Sequence, residues 1–269
     1  MSTTSPPRKR EVISVSECRD YLTAAGLIPE GVCAAFLTGS LARGWSHPGS
    51  DCDIYVVSEG LFRNAGSASI PMPLNPGIVP VHIGYVDGRR WEIKYWTDGQ
   101  IGQVLDKVSV VCFEAGETTY SLNSVEELLL ERIVTCLPII GAGWVTARRD
   151  DVRKSAFREF VVTRSLGCAD HAAESGLGQL AALDLHGAVL SAHLAMRHTV
   201  DALLESVECY GTMTAKWRAR RMRDAAPGAL SFDQYWSMET MQDLDPADPG
   251  NWVRRTISWC KATAMEIEI

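Results

Sequence analysis

Residues 36–57 read FLTGSLARGWSHPGSDCDIYVV, and this stretch determines the predicted fold. A short apolar run ends at Gly39-Ser40, a polar spacer follows, and Asp51 and Asp53 open a second apolar run. Runs of this length, bounded by turn-forming residues, are typical of buried β-strands. Because side chains alternate along a strand, the two aspartates point to one face, and the cysteine between them points to the packed face.

Two carboxylates on one face repel each other unless a positive charge lies between them, and oxygen ligands of this kind suit Mg²⁺. Gly39 allows the backbone to approach a ligand closely, because it has no Cβ. Ser40 and the amides that follow it are therefore predicted to hold phosphate oxygens, and Arg43 is a further candidate for a phosphate contact. The stretch thus predicts a phosphate-binding turn beside a metal site formed by Asp51 and Asp53.

The same stretch resembles the signature of the DNA polymerase β-like nucleotidyltransferase superfamily, which has a hydrophobic residue, Gly-Ser, a spacer, and then Asp-hydrophobic-Asp-hydrophobic. Thr38 departs from this pattern, because a more apolar residue is common at that position. The resemblance implies an enzyme with one or two Mg²⁺ ions and catalytic Asp51 and Asp53. It also implies transfer of a nucleoside monophosphate, most often AMP from ATP, to an acceptor hydroxyl with release of pyrophosphate.

The third carboxylate of the family lies on a neighbouring strand, and Glu92 in RRWEIKYW is the matching position. Glu92 alternates with apolar neighbours, so it is predicted to face away from the packed side of the sheet. The resemblance implies that Glu92 completes the metal site or deprotonates the acceptor. Asp87 is an alternative, although it suits a turn better. The other interpretation of Glu92 is a cross-strand partner of Lys94 or Arg90 on the solvent face.

A second candidate site lies in YGTMTAKWRARRM, residues 210–222. On a helix, Lys216, Arg220 and Arg223 lie on one side. The order of a tyrosine, a spacer, Lys216 and Trp217 is similar to one in the helical domains of some small bacterial nucleotidyltransferases. That similarity implies that Lys216 contacts nucleotide phosphates once the helical domain closes over the sheet. The alternative is a solvated basic face with Trp217 packed beneath it.

The chain as a whole predicts an α/β (α+β) fold in two domains. A nucleotidyltransferase catalytic domain with a mixed sheet and flanking helices covers residues 1–115, and a C-terminal helical bundle for substrate binding covers residues 116–269. Asp184 and Asp201 fall on a predicted long helix of the second domain. They are candidate general bases for the acceptor hydroxyl, or else local caps and ion-pair partners.

Strands are predicted for the apolar runs on either side of the spacer and for a hairpin near residues 80–86 and 89–96. The hairpin turns at Asp87-Gly88, a dipeptide that favours tight turns. Residues 60–79 are predicted to form a loop, and residues 1–12 a frayed arm. Predicted helices begin near Val15 and cover residues 122–137, 151–176, 180–211, 215–225 and 251–268.

The composition excludes several classes of protein. The 269-residue chain carries 26 basic and 33 acidic residues, for a net charge of −7, which argues against binding along duplex nucleic acid. No apolar run approaches the length that spans a membrane, and the N-terminal sequence lacks the apolar stretch of a secretory signal. Eight irregularly spaced cysteines without a C-x-x-C pair indicate reduced thiols in a cytoplasmic protein rather than a zinc site.

The predicted acceptor is a small molecule, because aminoglycoside and lincosamide resistance enzymes share this size and two-domain plan. Residues 1–140 carry 11 basic and 16 acidic groups, and acidic walls attract a cationic antibiotic. The rival interpretation is a regulatory or antitoxin-type module that nucleotidylates a protein or binds one without turnover. The sequence does not indicate an oligomeric state.

Overall fold

The computed structural model describes residues 13–62, 68–116 and 122–269. Its described residues form two compact units, drawn from Met1–Lys107 with Val125–Lys154 and from Val108–Ser124 with Ser155–Ile269. The predicted N-terminal arm, residues 1–12, lies outside the described residues. Within the described ranges, no helix combines the length and the apolar character needed to cross a membrane.

Over the part of the chain that is described, the first unit is built on a six-stranded mixed sheet. Its strands, β1 to β6 in chain order, are Val32–Thr38, Cys52–Ser58, Ala68–Pro71, Ile78–Val86, Arg89–Thr97 and Leu137–Ile140. Across the sheet their order is β3-β4-β5-β2-β1-β6. β2 and β5 run parallel, and the other neighbours run antiparallel. The predicted strands all form, and the mixed sheet confirms the predicted fold class.

The helices are numbered α1 to α11 in chain order. They are Val15–Ala24, Gly39–Ala42, Asp98–Lys107, Val110–Glu114, Ser124–Thr135, Ala142–Lys154, Phe157–Ala181, Leu185–Ser206, Arg218–Ala225, Phe232–Glu239 and Pro249–Glu266. In the first unit, α1 covers one face of the sheet, where the Tyr21 and Trp91 ring centroids lie 4.4 Å apart. α6 packs on the other face, where Trp144 stacks on Phe36 at 6.3 Å.

Two strands form where the sequence predicted none. β3 lies within the predicted loop 60–79 and pairs with β4, and β6 pairs with β1. Both strands have four residues and contain a proline, so they lack the length and the alternation that identify a strand in a sequence. The pairing of β6 with β1 places Val125–Lys154 in the first unit, whereas the sequence prediction assigned everything after residue 115 to the helical domain.

The second unit is a set of helices around an apolar core, to which α8 and α11 contribute most of the buried side chains. Two helices predicted as continuous are interrupted. The first divides between α6 and α7 at residues 155–156, and the second divides between α7 and α8. At the second break Leu183 adopts a left-handed backbone with φ of 62°, and Asp184 caps α8 by accepting a hydrogen bond from the Gly187 amide at 3.0 Å. Asp184 is therefore a local cap.

Candidate active site

The turn after β1 places Gly39-Ser40 beside Asp53. Gly39 has a left-handed backbone with φ of 68°, a conformation that costs other residues about 1–2 kcal/mol. A Cβ at this position would lie 2.5 Å from Asp53 Oδ2, so any other residue here requires that carboxylate to move. The Ser40 carbonyl accepts a hydrogen bond from the Trp45 amide at 2.8 Å, which closes the turn. The predicted phosphate turn and a predicted metal ligand are therefore neighbours.

Asp51 and Asp53 flank the first residue of β2. That residue, Cys52, is fully buried in the core that α1 covers, as the alternation along the strand predicted. Asp53 is the register partner of Thr38 in β1 and of Glu92 in β5, so its carboxylate shares a face of the sheet with Glu92. The Asp51 side chain is 45% exposed and the Asp53 side chain is 25% exposed, so solvent reaches both.

Both carboxylate oxygens of Glu92 are paired with cations. Lys94 Nζ lies 2.8 Å from Oε1, and Arg90 Nη2 donates to Oε2. Arg90 also reaches Asp51, with Nη1 3.2 Å from Oδ2. Burial acts to raise the pKa of Glu92, but the hydrogen bonds and charges of Lys94 and Arg90 outweigh it, and the net pKa is lowered. The sequence analysis left open an ion pair of Glu92 with Lys94 or Arg90. The structure shows both pairs, and they join residues of the same strand, β5, rather than of neighbouring strands.

The sequence analysis missed Arg132 of α5 and Tyr55 of β2. Arg132 Nη1 donates to the Tyr55 hydroxyl at 2.9 Å, and Nη2 lies 4.0 Å from Asp53 Oδ2. Burial raises the pKa of the Asp53 carboxyl, and the nearby Arg132 charge opposes that shift. The available signal was an arginine within the apolar helical run LLLERIV, residues 128–134, because a cation in such a run needs a buried partner.

Arg43, predicted to contact phosphate, is paired within the protein. Its Nη2 atom lies 2.9 Å from Glu131 Oε1, and both side chains are nearly buried. The guanidinium also lies 4.8 Å from the centre of the Trp45 ring. A phosphate must therefore compete with Glu131 for this arginine, and the assignment of Arg43 to nucleotide binding stays a prediction.

Lys216 lies in the second unit, in the short 3₁₀ turn Ala215–Trp217, and it is exposed. The regular helix α9 begins later than predicted, at Arg218. Arg220 and Arg223 are exposed as well, which agrees with the interpretation of a solvated basic face for these two residues. A phosphate contact by Lys216 stays a prediction.

The buried arginines of this region differ from those that the sequence analysis selected. Arg218 Nη2 lies 2.7 Å from Asp201 Oδ2, and Arg221 Nη1 lies 2.8 Å from Asp201 Oδ1. All three side chains are buried. Asp201 therefore acts as the shared partner of two arginines, which was the alternative to its role as a general base.

Asp51 and Asp53 have the oxygen chemistry that Mg²⁺ prefers, and Gly39 keeps a side chain out of the space beside Asp53. This pair therefore fits a divalent ion. Arg90 bridges Glu92 to Asp51 in this arrangement, and the assignment of Glu92 as the third metal ligand stays a prediction. The described residues contain no group of three or more His, Cys, Asp or Glu side chains arranged to hold a metal ion.

Comparisons with known proteins concern the same part of the chain. Residues 24–135 match the family model of a nucleotidyltransferase domain, a range that includes Asp51, Asp53 and Glu92. No curated protein matches the sequence. Among solved structures, the chain is similar to a nucleotidyltransferase-like protein from Exiguobacterium sibiricum 255-15, with 9% identity, a TM-score of 0.49, and coverage of 94% of this chain and 74% of that chain.

Proposed function

Because residues 24–135 match the family model of a nucleotidyltransferase domain, we propose that the protein moves AMP from ATP to a hydroxyl group of a small molecule and releases pyrophosphate. One observation carries the proposal. Within the matched residues, Asp53 lies against Gly39 on one side and shares a sheet face with Glu92 on the other. A backbone turn open to phosphate and a set of carboxylates on one face are the two parts that nucleotidyl transfer requires.

In this proposal each residue has a role that suits its position. Asp51 and Asp53 hold Mg²⁺, which neutralises charge on the phosphate oxygens and lowers the pKa of the attacking hydroxyl when it is bound. Gly39-Ser40 holds the triphosphate in this proposal, because Gly39 carries no side chain and has a left-handed backbone at the turn after β1. Arg132 holds the Asp53 carboxylate in place through its charge and its hydrogen bond to Tyr55.

Glu92 and the proposed phosphate contacts have separate roles. Glu92, held by Arg90 and Lys94, orients the acceptor hydroxyl or accepts its proton. Lys216 and Arg43 contact the phosphates of the nucleotide in this proposal, and Arg43 does so by exchanging its partner Glu131. The roles of Lys216 and Arg43 are tested by measuring the affinity for the triphosphate, because a loss of stability alone would not distinguish a phosphate contact from a structural role.

The strand order supports a location for the acceptor. A triphosphate held at Gly39-Ser40 lies on the β1 side of Asp53, so its pyrophosphate departs toward that side. An in-line displacement requires the attacking oxygen on the opposite side of the α-phosphorus, toward β5 and β4. On β4, Ile83 is the register partner of Glu92, and Tyr85 follows on the same face. Both are exposed, so they offer an apolar surface on which a sugar ring packs.

Transfer of a labelled α-phosphate tests the proposal. The full chain is incubated with Mg²⁺ and α-labelled ATP, and with panels of aminoglycosides, lincosamides, neutral sugars and cell-lysate proteins. We expect label on one small-molecule acceptor, whereas label from γ-labelled ATP appears only in pyrophosphate. Label on a protein would favour the protein-modifying alternative. Absence of a labelled product with every acceptor and all four nucleoside triphosphates would contradict the proposed reaction.

A further inference from the structure

Arg90 occupies the space between two of the three carboxylates at the candidate active site. Its Nη1 atom lies 3.2 Å from Asp51 Oδ2, and its Nη2 atom donates to Glu92 Oε2. The second oxygen of Glu92 is paired with Lys94 at 2.8 Å. The carboxylate of Glu92 is therefore neutralised by side chains of this chain alone.

A guanidinium in this position has the electrostatic effect of a bound cation. Planar guanidinium groups bridge two carboxylates with fixed geometry, and Arg90 keeps its charge at every physiological pH. Two positive charges that compete for the same carboxylates repel each other at short range. A divalent ion between Asp51 and Glu92 must therefore displace Arg90. Asp53, in contrast, faces Gly39 and lies 4.0 Å from Arg132.

We propose that Arg90 takes the place of a second divalent ion, so that the protein without nucleotide binds one divalent ion per chain, on Asp51 and Asp53. Arg90 also limits the affinity for that ion, because it holds one oxygen of Asp51. This inference rests on the proposed function, since it concerns the same carboxylates. It goes further in assigning a single ion and a role for an arginine that neither the sequence motif nor the family match identifies.

The test counts bound Mn²⁺ by electron paramagnetic resonance, with the metal alone as the probe and no nucleotide present. Arg90→Gln removes the charge, and Arg90→Lys keeps it. Arg148→Gln is the matched control, because Arg148 is 30% exposed against 32% for Arg90 and also lies between two carboxylates, Asp98 and Asp151. Thermal unfolding of each variant shows that the sheet is retained.

We expect one Mn²⁺ per chain in the wild-type protein, in Arg90→Lys and in Arg148→Gln. Arg90→Gln should bind a second Mn²⁺, or bind the first about tenfold more tightly. Two ions in the wild-type protein, or an Arg90→Gln variant that binds Mn²⁺ as the wild-type protein does, would overturn this inference and leave the proposed reaction untouched. If neither the wild-type protein nor any variant binds Mn²⁺, the metal-dependent reaction fails as well.

Discussion

Gly39 and Asp53 are in contact at the end of the first strand pair, and a Cβ on Gly39 would lie 2.5 Å from Asp53 Oδ2. A side chain on the glycine of the turn would therefore force the carboxylate of Asp53 to move. This relationship links the backbone of the proposed phosphate turn directly to the position of the proposed metal ligand.

Substitution of Gly39 by alanine should therefore displace Asp53. We expect a loss of about 2 kcal/mol or more in the free energy of unfolding, from left-handed strain and the clash together, and a loss of Mn²⁺ affinity. Gly44→Ala is the matched control, because Gly44 also has φ of 68° but a Cβ there meets nothing within 4 Å. Urea unfolding and Mn²⁺ titration compare the two. Equal losses in both variants would show that the contact with Asp53 is irrelevant.

Lys216→Ala tests the proposed phosphate contact in the second unit. Loss of one ammonium group from a triphosphate site should weaken ATP binding about tenfold or more, while the exposed position predicts little change in stability. The control is Lys261→Ala, an exposed lysine on α11. A fluorescent ATP analogue measures the affinity. An unchanged dissociation constant for Lys216→Ala would identify this region as a solvated basic face.

Glu205 of α8 should make stability depend on pH. Burial raises its pKa from the usual 4.5 to about 8, against hydrogen bonds from Thr212 and Ser165 that act to lower it. Between these two pH values the native chain holds a proton that the unfolded chain has lost, so the free energy of unfolding falls as pH rises through this window.

Glu205→Gln removes that slope, because glutamine stays neutral. At pH 8 we expect the variant to be more stable than the wild-type protein by about 1 kcal/mol or more. Urea unfolding at pH 5, 6.5 and 8 measures the difference, with the exposed Glu266→Gln as control. Stability curves that stay parallel for Glu205→Gln and the wild-type protein would disprove the assignment.

Asp201→Asn should be one of the costly substitutions in the second unit. It leaves Arg218 and Arg221 buried with only a neutral partner, and removing one member of a buried ion pair costs about 3–5 kcal/mol. Urea unfolding measures this loss. A loss below about 1 kcal/mol in the free energy of unfolding would mean that these ion pairs contribute no more than exposed surface pairs do.

The motif-bearing part of the fold was predictable because local rules govern it. The alternation along β2 identifies the buried Cys52 and the site face, and Asp87 and Gly88 both adopt the left-handed backbone that the hairpin turn requires. The strands β3 and β6 were missed because each has only four residues and is a strand by virtue of its pairing with β4 or β1. Such pairing depends on the tertiary structure, and the local hydrophobic pattern of the sequence does not reveal it.

The candidate site shows the same limit at the level of side chains. The motif identifies Gly39, Asp53 and Glu92, and the structure brings them together. It does not identify Arg132, whose approach to Asp53 depends on how α5 packs on the sheet. The choice among arginines in the second unit depended likewise on packing, because Arg218 and Arg221 are buried against Asp201 of α8.

The central claim is that Asp53 takes part in nucleotidyl transfer, and Asp53→Asn tests it most directly. The control is Asp87→Asn, which keeps the hairpin turn because asparagine also tolerates a left-handed backbone. The measurement is the rate at which α-labelled ATP and Mg²⁺ label the acceptor found in the screen, with circular dichroism to confirm folding. We predict that Asp53→Asn slows transfer by about a thousandfold or more, whereas Asp87→Asn matches the wild-type protein. A folded Asp53→Asn variant that transfers label at the wild-type rate would contradict the account.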